Sequence, residues 1–209
     1  AYTDQLTGAV SFARFTQLVR IYALKNNNYS LVSLNLRRFK FMNEILGRDK
    51  SDDFLCRIVN CIKPMMKKDE IICRDSADVF YMLLIGTDEN VISNRIHAIF
   101  NSIRQNTKDF CYEYEFCCGV ISNSTYSFEQ MLTNVMFALA QSKEMASENI
   151  CFFDEEVHEK KEFENFVESN MQQALDSNCF EMVLQPKVDL DTNLVVSAEA
   201  LVRWKLEDG

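Results

Sequence analysis

Ile71-Ile72-Cys73-Arg74-Asp75-Ser76-Ala77-Asp78-Val79-Phe80-Tyr81-Met82-Leu83-Leu84-Ile85 is the stretch that decides the fold. Two apolar runs, 71–73 and 79–85, flank the polar tetrad Asp75 to Asp78, which suits a tight turn, so the stretch reads as a β-hairpin. Upstream, Tyr29 to Leu36 is a short, nearly continuous apolar run, the pattern of a strand buried on both faces. Between them, Phe39 to Leu46 reads as a short helix closed by Gly47. Asp52 to Met66 reads as a second helix that points Phe54, Leu55, Ile58, Val59 and Ile62 inward, with Pro64 bending or ending it. Downstream of the hairpin, Val91 to Gln105 is an amphipathic helix and Glu113 to Ser122 a strand. Ser127 with Gln130 forms a capping box that opens a helix to about Ser147, and Cys151-Phe152-Phe153 is a last short strand. Leu6 to Lys25 reads as a further helix, ended by Asn26-Asn27-Asn28. From residue 29 the order is β-α-α-β-β-α-β-α-β. Its βαββαβ core predicts an α/β (α+β) fold of ferredoxin-like arrangement, an antiparallel-rich central sheet flanked by helices.

The texture changes after Asp154. Glu155 to Glu162 is a charged run without apolar period and reads as a linker or solvated helix face. Phe163 to Ser177 reads as a helix, Phe180 to Gln185 as a strand, Asp189 to Asn193 as a turn and Leu194 to Trp204 as a second strand. The organisation expected is a domain over 1–154, a linker over 155–162 and, over 163–209, a helix plus β-hairpin too small to enclose its own core. That last part reads as the beginning of a domain, and the chain as an excerpt of something longer.

Composition narrows the function classes. With 31 acidic and 22 basic residues among 209, the net charge is −9. Such a field repels phosphate backbones and anionic membrane surfaces, so neither nucleic acid nor a membrane is an expected partner, although local basic clusters still suit a small anion. No 18-residue apolar stretch and no leader-like segment is present, which with the cysteine pattern leads to a cytoplasmic expectation. The eight cysteines include no CxxC pair and mostly sit in apolar runs, so they read as buried thiols of a reducing compartment. His97 and His158 have no partner pattern and read as structural or solvent-exposed.

In a ferredoxin-like nucleotidyl-transfer palm, catalytic carboxylates stand at the end of the first strand and in the hairpin between the next two. Together they hold two Mg²⁺ ions that activate a 3′-hydroxyl and neutralise a triphosphate. Here these places read Leu34-Asn35-Leu36-Arg37-Arg38-Phe39-Lys40 and Arg74-Asp75-Ser76-Ala77-Asp78-Val79-Phe80. Several motifs stand in family order. They are Asp4-Gln5-Leu6-Thr7-Gly8 (DxLTG), Leu34 to Gly47 (LDxDxFKxxNDxxG), Ser51-Asp52 (Gly-Asp), Arg74 to Phe80 (RxGGDEF), Cys118-Gly119-Val120 (SxGI) and Ala140 to Lys143 (a helix ending in AK). On these residues the chain over about 2–154 resembles a GGDEF domain, the diguanylate cyclase family. Over about 163–209, Phe180 to Asp189 and Ser197 to Trp204, with Glu199-Ala200-Leu201 at its centre, resemble the start of an EAL domain, the cyclic-di-GMP phosphodiesterase family.

The resemblance implies a degenerate catalytic site. The first metal carboxylate falls on Asn35, a neutral and weak metal ligand, and a neighbouring aspartate falls on Arg37, a cation close to where Mg²⁺ would sit. Ser76 and Ala77 replace the two glycines, Val79 replaces the following acid, and Asp78 is the remaining carboxylate, catalytic and metal-binding in the family; Asp75 is a candidate displaced ligand. A weakened Mg²⁺ site is the most these residues imply. Nucleotide positions are better kept: Asn43 and Asp52 fall where the family reads a guanine edge, Lys40 and Lys143 where it contacts phosphates. Asp52 also suits a helix N-cap, and Asp78 a turn-forming residue. Lys67 and Glu70 stand, with charge signs kept, at the family's RxxD inhibitory site, although Lys lacks the bidentate fork of Arg. In the EAL-like part, Glu199 corresponds to a metal-binding Glu, with Gln185 and Arg203 where that family holds substrate. These need the remaining strands of a (β/α)8 barrel, so phosphodiesterase activity is not expected of the chain by itself.

The expected function is a regulatory module in cyclic-di-GMP signalling that takes GTP or another guanine nucleotide without condensing it and modulates an EAL phosphodiesterase. Cyclic-di-GMP itself is a second candidate ligand, and a homodimer is compatible with the resemblance but not required. An active cyclase with a rearranged metal site and a ligand-free dimerisation or scaffold domain are the alternatives.

Overall fold

The computed structural model describes residues 2–122 and 126–205. The chain divides into two compact units, Ala1–Asp154 and Glu155–Gly209.

The first unit opens with β1 (Val10–Ser11) and α1 (Phe12–Ala23), followed by β2 (Tyr29–Leu36), α2 (Phe39–Leu46) and α3 (Arg48–Ile62). Then come β3 (Ile71–Arg74), β4 (Phe80–Ile85), α4 (Glu89–Asn106), β5 (Phe116–Ser122), α5 (Phe128–Glu144) and β6 (Asn149–Phe152). The sheet order is β1-β3-β4-β2-β5-β6, with β1/β3 and β5/β6 parallel and the other pairs antiparallel. The inner four strands are ordered as a βαββαβ unit requires, and the hairpin closes with Arg74 opposite Phe80.

Every residue of β2 is buried. Side chains alternate across a strand, so Val32, Leu34 and Leu36 enter one core and Tyr29 and Leu31 the other. The first core takes its helical half from α2, α3 and α4 (Met42, Ile58, Ile96), the second from α1 and α5 (Phe15, Val19, Met131, Val135). Gly119 of β5 lies directly beneath α5. A Cβ there would stand 2.3 Å from Leu139 N and 2.5 Å from Val135 O, so only glycine lets this helix seat.

Three boundaries differ most from the sequence reading. The helix expected from Leu6 begins at Phe12, because Asp4 folds the preceding segment into a turn. Its Oδ1 accepts from Thr7 N (2.8 Å) and Thr7 Oγ1 (2.6 Å), Gly8 takes φ +66°, and Ser11 then caps α1. The helix expected from Asp52 already begins at Arg48 and ends at Ile62, with Pro64 in the short 3₁₀ turn that follows. The third difference is in the second unit.

That unit comprises α6 (Glu155–Asp176) and an antiparallel hairpin of β7 (Phe180–Val188) and β8 (Val195–Trp204). Of the two readings of residues 155–162, linker or solvated helix face, the structure has the second: they form the first two turns of α6 and are mostly exposed. Their Glu and Lys residues are good helix formers, and His158 stands 3.7 Å from Glu162 one turn on. Trp204 stacks on Phe166 of α6 and tilts against Phe180. Among the described residues no helix is long and apolar enough to cross a membrane. All eight cysteines are free; Cys73, Cys117, Cys118 and Cys151 are buried, whereas Cys111 is exposed.

Candidate functional site

The site grows from the end of β2. Leu34 pairs with Phe80 of β4, so the hairpin tip 75–79 stands beside the last residues of β2. Leu36 N–H donates to Asp78 Oδ2 at 3.0 Å, which ties the tip to the strand. Within the tip, Asp75 N–H donates to Val79 O and Val79 N–H to Ser76 O, while Ala77 takes φ +48° where the family pattern has glycine. Arg74 braces the turn: its Nε donates to Ala77 O at 2.8 Å and its guanidinium meets Asp4 at 3.2 Å. The DxLTG-like opening thus acts on the hairpin through Asp4.

Asp78 is nearly buried. Burial pushes its carboxyl pKa up, and the Leu36 N–H, its own N–H and the charges of Lys143 and Arg74 offset this only in part. Its carboxylate is therefore costly to ionise and already engaged. Asn35, also buried, sits in β2 opposite Cys117 of β5. Among the described residues no three His, Cys, Asp or Glu side chains stand together as a metal site.

Arg37, just beyond β2, does something the sequence did not suggest. Its guanidinium donates to Lys143 O (3.0 Å), Ser142 O (3.2 Å) and Ser147 O (3.2 Å), and Nε stands 2.9 Å from Glu115. Ser142 O and Lys143 O belong to the last turn of α5, where carbonyls lack an intrahelical partner and carry a partial negative charge, and Ser147 O lies just beyond it; Asn149 Nδ2 donates to Ser142 O and Ser147 O as well. The side chain that replaces an expected carboxylate is a clamp between the end of β2 and the end of α5.

Lys40 is exposed on α2 and Lys143 exposed on the last turn of α5, where its charge acts on Asp78 and Cys117. Asn43 and Asp52 are half-buried on α2 and α3, consecutive helices joined at Gly47, which takes φ +82° and whose N–H donates to Asn43 O. Asp52 lies inside α3, not at its N-cap, and stands 3.8 Å from Arg48. The structure thus brings Asp78, Asn35 and Lys143 to one end of the sheet and sets Asn43 and Asp52 across the α2–α3 turn.

Lys67 is exposed, but Glu70 is not a free ligand. Its side chain is fully enclosed, and Arg95 grips it bidentately at 2.6 and 2.7 Å. Lys67 N–H (2.7 Å) and Ile85 N–H (2.9 Å) complete its bonds. Burial raises its pKa, yet Arg95 and these two amides outweigh burial and hold it below the ordinary carboxylate range. The charge kept at this position is spent within the fold, on an arginine whose significance no local motif reveals.

In the second unit Gln185 stands directly opposite Glu199, and Arg203 follows four residues later in β8. With side chains alternating along a strand, all three share one face of the hairpin, where Lys187 meets Glu199 at 3.3 Å. The other face carries Met182, Leu184 and Val202, all exposed.

The family described as "Diguanylate cyclase, GGDEF domain" matches residues 1–149. The chain is 25% identical over 210 residues to the cyclic di-GMP phosphodiesterase NbdA of Pseudomonas aeruginosa, covering 97% of this chain and 27% of that protein. It is 24% identical over 211 residues to the cyclic di-GMP phosphodiesterase PdeR of Escherichia coli, covering 98% and 32%. It therefore spans about a third or less of these relatives' own length. The GGDEF domain of DgcB from Caulobacter crescentus, solved with c-di-GMP, superposes with a TM-score of 0.65 at 16% identity, over 73% of this chain and 95% of that one. The Vibrio cholerae LapD S helix-GGDEF-EAL structure bound to c-di-GMP gives a TM-score of 0.67 at 17% identity, over 99% of this chain and 50% of that one. At these identities the likeness to solved structures is one of fold.

Proposed function

We propose, from the premise that the chain belongs to the diguanylate cyclase GGDEF family, that its first unit is a catalytically degenerate, guanine-nucleotide-binding regulatory module of cyclic-di-GMP signalling. The observation that carries this reading is the state of the β2 end. Asn35 offers an amide where the resemblance expects a carboxylate, Arg37 is spent on the carbonyls of α5 and on Glu115, and Asp78 is bonded to Leu36 N–H and costly to ionise. One engaged carboxylate beside a lysine does not fit a pair of Mg²⁺ ions, which demand several anionic oxygens. No catalytic step is therefore assigned to this unit.

The chain's remaining tools are those of binding. By the resemblance, Asp52 would accept from the N1–H and N2–H of a guanine edge with Asn43 beside it, and Lys40 and Lys143, both exposed, would meet the phosphates. We read the second unit as the opening of an EAL phosphodiesterase domain. The shared face of Gln185, Glu199 and Arg203 supports that reading, as do the phosphodiesterase names of the curated relatives and the superposition of 99% of this chain on the LapD S helix-GGDEF-EAL structure. The first unit would then regulate the phosphodiesterase. Closure of Glu70 by Arg95 weakens the case for cyclic-di-GMP binding through Lys67 and Glu70.

Calorimetric titration with GTP and with ATP tests the proposal. The expected result is saturable binding of GTP, little of ATP, and a drop of about tenfold or more in GTP affinity for Asp52→Ala. No GTP binding up to millimolar concentration would sink it and leave a scaffold or dimerisation role. Cyclic-di-GMP formed from GTP would restore the cyclase reading.

A further inference from the structure

A broad cleft of about 1240 Å³ opens in the first unit between α2 and the segment that joins α4 to β5. None of Asn35, Lys40, Asn43, Asp52, Asp78 or Lys143 lines it. The geometry of α2 explains the separation. At about 100° per residue, Phe39 and Met42 fill the buried stripe, Lys40 and Asn43 lie on one side of it, and Arg38, Phe41 and Ile45 lie on the other. The cleft is built on this second side and is independent of the nucleotide positions discussed above.

Its chemistry is unlike the rest of the chain. In a protein of net charge −9, the walls carry four cations (Arg37, Arg38, Arg104 and Lys108) against the two carboxylates Glu113 and Glu115. Arg37 is neutralised by Glu115 and Arg104 by Glu148. Among the described residues, the side chains of Arg38 and Lys108 have neither an ion pair nor a hydrogen bond, and both are exposed. Beside them the cleft exposes apolar surface: Phe41 is 55% and Ile45 58% exposed, with half-buried Tyr112 among the residues of the other wall. Two non-glycine residues with left-handed backbone frame it, Arg38 (φ +58°) on α2's side and Cys111 (φ +48°) opposite. Such conformations cost free energy and persist where the surroundings impose them, often at ligand sites.

An inorganic anion would leave the apolar surface wet, and an apolar ligand would leave two cations facing it. A ligand that satisfies both has an anionic group and a flat ring, the ring against Phe41 and Tyr112 and the anion between Arg38 and Lys108. We infer that this cleft is a second ligand site, for a small organic phosphate bearing a planar ring.

The test is a titration of the ¹⁵N-labelled chain, followed by backbone amide shifts, with AMP, adenosine and inorganic phosphate in parallel. AMP is expected to shift Phe41, Ile45, Lys108 and Tyr112 saturably, whereas adenosine and phosphate each bind about tenfold or more weakly. Lys108→Glu is expected to remove these shifts while leaving the remaining spectrum in place. Shifts confined to Asp52 and Lys143 would overturn the inference and report binding on the nucleotide side only. AMP shifts unaffected by Lys108→Glu, or phosphate binding as tightly as AMP, would overturn it too.

Discussion

Replacing Glu70 by Gln asks whether this position serves the fold or a ligand. The wild-type carboxylate accepts four hydrogen bonds, two from Arg95 and one each from Lys67 N–H and Ile85 N–H, with no side-chain surface exposed. Gln keeps the shape, but its amide NH₂ faces donors and Arg95, itself only 18% exposed, loses its counter-charge. Breaking a buried pair this way costs roughly 3–5 kcal/mol. For a domain of this size that is a fall in Tm of about 6–20 °C. Urea denaturation should show it. The double variant Glu70→Gln/Arg95→Met should recover much of the loss, because an apolar replacement of a buried pair is often near neutral. Acid should erase the difference. Glu70's folded pKa lies below its unfolded value, so its contribution is present above about pH 4.3 and lost as pH falls through the lower folded pKa. A loss under about 1 kcal/mol at neutral pH would refute the reasoning and make Glu70 a candidate ligand contact again.

Gly119→Ala should destabilise by about 3 kcal/mol or more or prevent folding, since the new Cβ meets the backbone of α5 and no flexible side chain; thermal melts read this directly. Arg37→Ala should cost about 0.5–1.5 kcal/mol, chiefly through Lys143 O, since Asn149 Nδ2 still reaches Ser142 O and Ser147 O, and hydrogen exchange should rise in the last turn of α5. Asp78→Asn keeps a carbonyl acceptor for Leu36 N–H and removes a carboxyl whose folded pKa is raised. A group so shifted favours the folded state below its unfolded pKa, near 3.9, and loses that advantage as pH rises through the folded value. The variant should thus be at least as stable as wild type at pH 7 and lose any advantage near pH 3, by urea titration at both pH values.

The hairpin at 71–85 and the doubly buried β2 were legible because their patterns are local. An apolar strand with no polar alternation has to be central, and a polar tetrad between two such runs has to turn. The start of α1 was not, because the apolar spacing continues through Leu6 while Asp4 takes that segment into a turn through hydrogen bonds to Thr7. Residues 155–162 have no apolar period, yet the helix propensity of their Glu and Lys residues lets α6 begin there. At the site, the residue types at Asn35, Arg37 and Asp78 were readable, but their engagements were not. Arg37 reaches main-chain carbonyls more than a hundred residues away, and Glu70 is closed by an arginine on a helix across the fold. Such partners leave no mark in spacing. The cleft beside α2 was hidden for a similar reason, since Phe41 and Ile45 read as ordinary helix residues until their exposure is seen.

The most direct measurement is GTP affinity determined by calorimetry with Mg²⁺ and again with a chelator. A guanine clamp beside a lost metal site predicts saturable binding whose affinity changes by no more than about twofold between the two conditions. Binding that falls about tenfold or more on chelation would mean that metal ligands persist at the end of β2, and would contradict that reading.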